Sequence, residues 1–283
     1  MMSANSNSDT NFVWTDLSSY DTVASNAFYS AVFGWQMHDM GQMPSGPDDP
    51  YGMDQVTYHV ATLGDRPAAG IFDMPPFFQK IKMRPFWMSY LAVENLGAIV
   101  AAAKAMEGVI VDIEPTPFGD GTMALIRDPL GAGFTCYEGP DINSKGDGGE
   151  YGRMVWNELI TADIASVEPF YRGVLGLDLI EDSDFQGSRV KLLNRWGEEI
   201  AGIQAVDSSI RSEKVYWVPF FSVDGLEAFS SKLAKAGGQL LTRTDYGAAQ
   251  DSAICFDNTG AAFGVAETGA KPQEQRPWYR MLF

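Results

Sequence analysis

Two carboxylates stand at matching places in this 283-residue chain: Asp16 in "VWTDLSSYD" and Glu158 in "VWNELITAD", each two residues after a tryptophan, Trp14 or Trp156. In a strand, residues two apart share a face, so each acid is expected beside an indole. An acid among indoles is costly unless it is solvated, bonded to an indole N–H, or raised in pKa. The last of these is also how a general acid or base is made. Asp16 and Glu158 are therefore the candidate catalytic groups, for moving a proton on an apolar substrate. Tyr58 and Tyr137 are weaker candidates for orienting it.

Those acids must be positioned by a repeated element. Trp14 precedes Asp21 by seven residues, and the same spacing recurs from Trp156 to Asp163, Trp87 to Glu94 and Trp217 to Asp224. Shifting Trp14 onto Trp156, a step of 142, also lays Phe28-Tyr29 on Phe170-Tyr171, so the chain is a duplication. The weaker copies from Trp87 and Trp217 make four modules. Each reads as a strand, an acidic helix cap, a helix of about a dozen residues and further short strands, the order β-α-β-β-β. Asp21, Asp163 and Asp224 are good N-caps, because a short carboxylate accepts from free helix amides. Gly34 and Gly176 close their helices. Hairpins are expected with turns at Gly64-Asp65 and at Gly197.

Strand alternation from the four tryptophans places Trp14, Asp16 and Ser18 on one face with Trp87, Ser89 and Leu91 in the first half. In the second half it groups Trp156, Glu158 and Ile160 with Trp217, Pro219 and Phe221. Leu17, Tyr90, Leu159 and Phe220 then face the helices. A lining of this kind, apolar and aromatic with one carboxylate per half, suits a small apolar or aromatic molecule held by stacking and one polar contact. The bland alternative is four tryptophans filling a core. The first half is expected to hold the better site, since it offers Ser89 and an insert at 41–52 where the second has Pro219 and no insert.

Composition bounds the rest. At 45% apolar and 12% aromatic residues the chain can bury two cores, with domains expected over 11–138 and 151–268, a glycine-rich linker at 139–150 and a tail at 269–283 docked on the body or on a second subunit as a homodimer. The net charge of −17, from 20 Lys+Arg against 37 Asp+Glu, argues against nucleic acid and anionic lipid as partners. No apolar run approaches the ~20 residues of a membrane helix. Cys136 and Cys255 form neither a metal spacing nor a disulfide framework, and "MMSANSNSDT" lacks a basic and apolar leader pattern, so a cytoplasmic location is expected. Phosphate loops, nucleophile elbows and Cys/His clusters are missing from the sequence.

The strand leading to "D...A..FY..VFGW" and the later "RDPLGAG" resemble the vicinal oxygen chelate superfamily of glyoxalases, bleomycin-resistance proteins and extradiol dioxygenases, in its tandem two-domain glyoxalase-like form. The resemblance implies an α+β fold of four βαβββ modules, paired into two domains whose concave mixed sheets enclose a cavity. It also locates the superfamily's metal ligands: a histidine seven before the capping acid, where this chain has Trp14, Trp87, Trp156 and Trp217, and a glutamate seven after the Asp of a "DP.G" turn, where it has Thr135 and Gly264. Indole nitrogen carries a hydrogen and offers no lone pair, so no metal and no cofactor are expected. The two histidines, His38 and His59, fall on neither position. Three readings stand at this point: a metal-independent lyase or isomerase using Asp16, Glu158 or both; a bleomycin-resistance-like protein that only binds its ligand; and a ligand-free interaction scaffold.

Overall fold

The computed structural model describes residues 10–43, 51–140, 142, 150–183, 185, 187–208, 215–241 and 252–267. Most of the 41–52 insert and of the 139–150 linker, and the whole 269–283 tail, lie outside the described residues.

The β-α-β-β-β order repeats four times. The first module comprises β1 (Phe12–Ser19), α1 (Thr22–Phe33), β2 (Gln36–Gln42), β3 (Thr57–Leu63) and β4 (Arg66–Asp73). A short helix α2 (Pro76–Lys80) leads to the second: β5 (Phe86–Ala92), α3 (Leu96–Ala105), β6 (Ile110–Phe118), β7 (Gly121–Arg127) and β8 (Gly133–Glu138). The third holds β9 (Met154–Thr161), α4 (Ile164–Gly173), β10 (Asp178–Glu181), β11 (Arg189–Leu193) and β12 (Glu199–Ala205). The fourth holds β13 (Tyr216–Val223), α5 (Leu226–Lys235), β14 (Gln239–Leu240), β15 (Ser252–Phe256) and β16 (Ala262–Glu267).

Each half of the sequence forms one eight-stranded mixed sheet, with order β2-β3-β4-β1-β5-β8-β7-β6 and its repeat β10-β11-β12-β9-β13-β16-β15-β14. The chain packs as two compact units. One comprises residues up to Val13, 89–142 and 156–218; the other comprises 14–88, 143–155 and 219 onward. Each unit thus takes one module from each half. The core of the second unit is aromatic: Tyr29, Phe33, Trp35, Trp87, Phe221 and Phe263 make ring contacts at centroid distances between 5.2 and 6.3 Å.

The caps explain where the tryptophans point. Asp21 Oδ1 accepts from Ala24 N and Asp163 Oδ2 from Ser166 N, both at 2.9 Å. In the second module the cap is Asn95, whose Oδ1 accepts from Ala98 N, and in the fourth it is Gly225 with no side-chain bond. Glu94 and Asp224 each stand one residue too early. The cap therefore follows Trp14 and Trp156 by seven residues but Trp87 and Trp217 by eight. Strand side chains alternate with period two, so a slip of one turns a residue to the other face. Ser19 Oγ lies 2.8 Å from Ser25 Oγ of α1, which puts the odd positions of β1 toward the helix and Trp14, Asp16 and Ser18 on the opposite face. Trp87 donates from Nε1 to Tyr29 Oη of α1 at 3.1 Å, and Trp217 lies edge-on to Tyr171 of α4. The expected grouping of Trp87, Ser89 and Trp217 with Trp14 and Trp156 is thereby corrected. Ser89 is buried, with its Oγ donating to Asn157 Oδ1 at 2.6 Å, while Tyr90, expected on the helix side, stacks near Phe118.

Candidate functional site

In the second unit Asp16 of β1 lies opposite Gly70 in the parallel pairing with β4. Tyr58 of β3 reaches over that glycine. Trp14 Nε1 donates to Tyr58 Oη at 3.0 Å, and Tyr58 Oη donates to Asp16 Oδ2 at 3.3 Å, a long bond for a hydroxyl donor. Trp14, Asp16 and Tyr58 are 3%, 1% and 8% exposed. Burial, and after it the Asp16 charge, pushes the Tyr58 phenol well above the ordinary tyrosine range. The phenol therefore stays protonated and the relay runs one way, indole N–H to phenol O–H to carboxylate. Three of the sequence-derived site residues are brought together here. Ser18, one position further along the same face, donates from Oγ to Met74 Sδ at 3.3 Å.

The first unit repeats the frame with different chemistry. Glu158 of β9 lies opposite Gly202 of β12, as Asp16 does opposite Gly70. Tyr58 pairs across its hairpin with Phe72, two residues beyond Gly70, and Arg189 pairs with Gln204, two residues beyond Gly202. Arg189 therefore takes the place of Tyr58. Its Nε and Nη2 donate to Glu158 Oε1 and Oε2 at 2.7 and 2.9 Å, and its Nη1 donates to Asp182. Trp156 Nε1 donates to Glu158 Oε2 at 2.8 Å, one of the three ways in which the acid was expected to be accommodated. Burial alone would lower the guanidinium, but Glu158 and Asp182 outweigh it and hold Arg189 above its ordinary value.

Both frames need the glycine. A methyl at Gly202 would collide with Arg189 Nη2 and Glu158 Oε2, and one at Gly70 with Tyr58 Oη and Asp16 Cβ. Gly202→Ala and Gly70→Ala are each expected to destabilise by about 1–3 kcal/mol through overpacking. Urea unfolding checks this, and a change within experimental error would mean that the side chains step aside freely.

Tyr29 and Tyr171 form the second set of buried polar links. Tyr29 Oη donates to Asp257 Oδ2 at 3.0 Å, and Tyr171 Oη to Asp128 Oδ2 at 3.1 Å. Both aspartates sit in the β-turns of the last hairpins, where their Oδ1 atoms also accept backbone N–H groups. The Asp of the "DP.G" turn thus anchors a helix tyrosine. Burial first, then the aspartate charge, raises the phenols of Tyr29 and Tyr171 well above 10.0. A folded-state value above the unfolded one gives stability that is complete below pH ~10 and lost as pH climbs through the folded values. The unfolding midpoint is expected to be level from about pH 7 to 9 and to fall above 10, by roughly 1.4 kcal/mol per pH unit for each such tyrosine. Tyr29→Phe with Tyr171→Phe should make that alkaline limb shallower, leaving the share of Tyr58 and the buried thiols; an unchanged limb would show that these two phenols do not contribute to it.

The remaining expected groups make other contacts. Tyr137, in the first unit, donates to the Pro140 carbonyl at 3.2 Å. His38 Nε2 lies 3.1 Å from Thr62 Oγ1, and His59 is half-buried on the face of β3 opposite Tyr58. Cys136 and Cys255 are buried free thiols. Arg189, Asp182, Tyr29 and Tyr171 were not singled out from the sequence. The matched Phe-Tyr pairs were a visible sign for the tyrosines; Arg189 had none, because its contact with Glu158 spans 31 residues.

The donor set does not fit the superfamily's metal. The strand positions seven before the four observed caps are Trp14, Met88, Trp156 and Val218. Among the described residues no group of three or more His, Cys, Asp or Glu is placed to hold an ion. No helix among them is long and apolar enough to cross a membrane.

Residues 12–135 match the family described as Glyoxalase/Bleomycin resistance protein/Dioxygenase superfamily. The chain is 29% identical over 254 residues to "Putative glyoxylase CFP32" of Mycobacterium tuberculosis, covering 89% of this chain and 92% of that protein. It is 25% identical over 258 residues to "Anthracycline biosynthesis protein DnrV" of Streptomyces peucetius, covering 90% and 92%. Among solved structures, the 2,3-dioxygenase LapB from Pseudomonas sp. KL28 superposes with a TM-score of 0.59 at 12% identity, over 95% of this chain and 96% of that one. The Mn(II)-bound glyoxalase from Novosphingobium aromaticivorans gives 0.55 at 14% identity, over 93% and 83%. Such low identities speak for the fold alone. With the family match over residues 12–135, the module repeat and the coverage of the solved structures together, the chain is similar to the glyoxalase, bleomycin-resistance and dioxygenase superfamily and has a tandem glyoxalase-like fold.

Proposed function

We propose that this protein is a metal-independent enzyme of lyase or isomerase type that binds a flat apolar or aromatic molecule at the Trp14 face, with Asp16 as the group that takes up the proton. One observation carries the reading: at equivalent positions Glu158 is clamped by the Arg189 guanidinium, whereas Asp16 faces the Tyr58 phenol. A carboxylate in a bidentate ion pair is a poor proton acceptor, whereas a bond from a neutral phenol leaves the carboxylate charge without a cationic partner from that side. Glu158 is therefore assigned to structure. The name of the anthracycline biosynthesis relative supports a flat polycyclic substrate.

A second reading, a bleomycin-resistance-like protein that sequesters its ligand without catalysis, is favoured by the engagement of Asp16 Oδ2 with Tyr58, which suits recognition as well as chemistry. The test uses 2-tetralone, a flat apolar ketone with removable protons, in D2O. Accelerated deuterium uptake that depends on Asp16 supports the enzyme; saturable binding without exchange makes it a binding protein.

A further inference from the structure

The longest-reaching anomaly outside the Asp16 relay is one of charge. From Met74 to Val93 the sequence contains no acid, yet it carries Lys80, Lys82 and Arg84, in a chain of net charge −17. All three are exposed. Several surface cations elsewhere face carboxylates, as in Arg66–Glu150, Lys104–Glu114, Arg172–Glu168 and Arg195–Glu94, while Lys232 lies over the Tyr151 ring. Lys80, Lys82 and Arg84 face none among the described residues. Lys82 also sits in the left-handed region, at φ 54°, the one non-glycine residue with positive φ among those described.

The same stretch exposes apolar surface. Phe77, Ile81 and Met83 are 40%, 55% and 36% exposed, and Tyr20 beside them is 51% exposed, its Oη donating to the Met83 carbonyl at 2.8 Å. Behind Phe77 the aromatic surface continues inward. Tyr51 stacks on Phe78 at 5.4 Å and 17°, and Phe78 meets Phe86 of β5 edge-on at 5.8 Å. The segment is tied to the strand that carries Asp16: Met74 N donates to Ser19 O, Ser18 Oγ to Met74 Sδ, and Gln79 Nε2 to Met74 O.

We infer that this patch is the docking site for the ionised end of the ligand, and that the ligand is a flat aromatic carboxylate. The inference rests on the Asp16 reading and names its substrate class. Charge selects a small anion over a polyanion. Fields are screened within about 8–10 Å, so a small carboxylate senses the three cations, while a nucleic acid, an anionic membrane or an acidic protein also meets the surrounding negative surface. The exposed rings supply the stacking face. Residues two apart on a strand are separated by about 7 Å, so an anion held beyond Ser18 is kept off the Asp16 carboxylate.

The test compares 2-naphthoate with its neutral isostere 2-naphthamide by isothermal titration, at low and at high salt. The naphthoate should bind at least tenfold more tightly at low salt. That preference should collapse at high salt and in the Lys80→Gln, Lys82→Gln, Arg84→Gln triple variant, with amide affinity unchanged. Equal affinities in the unmodified protein, a preference that survives the triple variant, or binding of neither probe would overturn the inference. Trp14→Ala separates the two readings: if both probes weaken, the patch and the Trp14 face hold one ligand, whereas naphthoate affinity unchanged in that variant upholds the patch but detaches it from the Asp16 site, which sinks the proposed site and not the charge selection.

Discussion

Arg189→Met is expected to destabilise the fold by about 3–5 kcal/mol, the usual cost of stranding buried charge when one partner of an ion pair is removed. The guanidinium is fully buried and satisfies Glu158 and Asp182, each 2% exposed. Methionine fills much of the volume but leaves two carboxylates in a low-dielectric site, with Lys191 3.8 Å from Asp182. The variant carries a second signature. Stranded carboxylates have folded-state pKa values raised above about 4, so their favourable term is present at low pH and lost as pH rises. The deficit against the unmodified protein should therefore shrink as pH falls toward 4. Urea titrations at several pH values read both effects. A loss under about 1 kcal/mol, or a deficit that grows on acidification, would show that the cluster is solvated in solution. Tyr58→Phe, at the equivalent position, should cost less, about 1–3 kcal/mol, since it removes two hydrogen bonds but strands no ion pair.

Asp16→Asn is expected to lower 2-tetralone proton exchange by about 10²–10⁴-fold, the range typical of a lost general base. The amide keeps the volume and can still accept from Tyr58 Oη, so ligand affinity and stability should change little. Glu158→Gln should leave exchange nearly intact while weakening the fold, because the guanidinium of Arg189 loses its charged partner. The opposite pattern, exchange lost in Glu158→Gln and kept in Asp16→Asn, would move the chemistry to the other half of the duplication. Exchange unaffected by either would leave the ligand-binding reading in its place.

The sequence by itself determined the repeat, and with it most of the architecture. The four modules, the caps at Asp21 and Asp163, the hairpins turning at Gly64-Asp65 and Gly197 and the equivalence of Asp16 with Glu158 all follow from local patterns: caps, turns and period-two alternation act over a few residues. The meeting of Trp156 with Glu158 was equally legible, two residues apart on one strand. What only the tertiary structure decided was partnership. Asp16 meets Tyr58 across 42 residues and Glu158 meets Arg189 across 31, so two carboxylates alike in sequence were given a neutral donor and a cation. The face of Trp87 and Trp217 was settled the same way. A seven-residue spacing was read from Glu94 and Asp224, but the helices begin one residue later, at caps Asn95 and Gly225, and in a strand one residue is half a period. Tyr29 and Tyr171 then claim those indoles for their helices, Tyr29 by accepting from Trp87 Nε1 and Tyr171 by an edge-on ring contact with Trp217, and the reason is long-range packing: only the folded chain brings these aromatic groups within reach of one another.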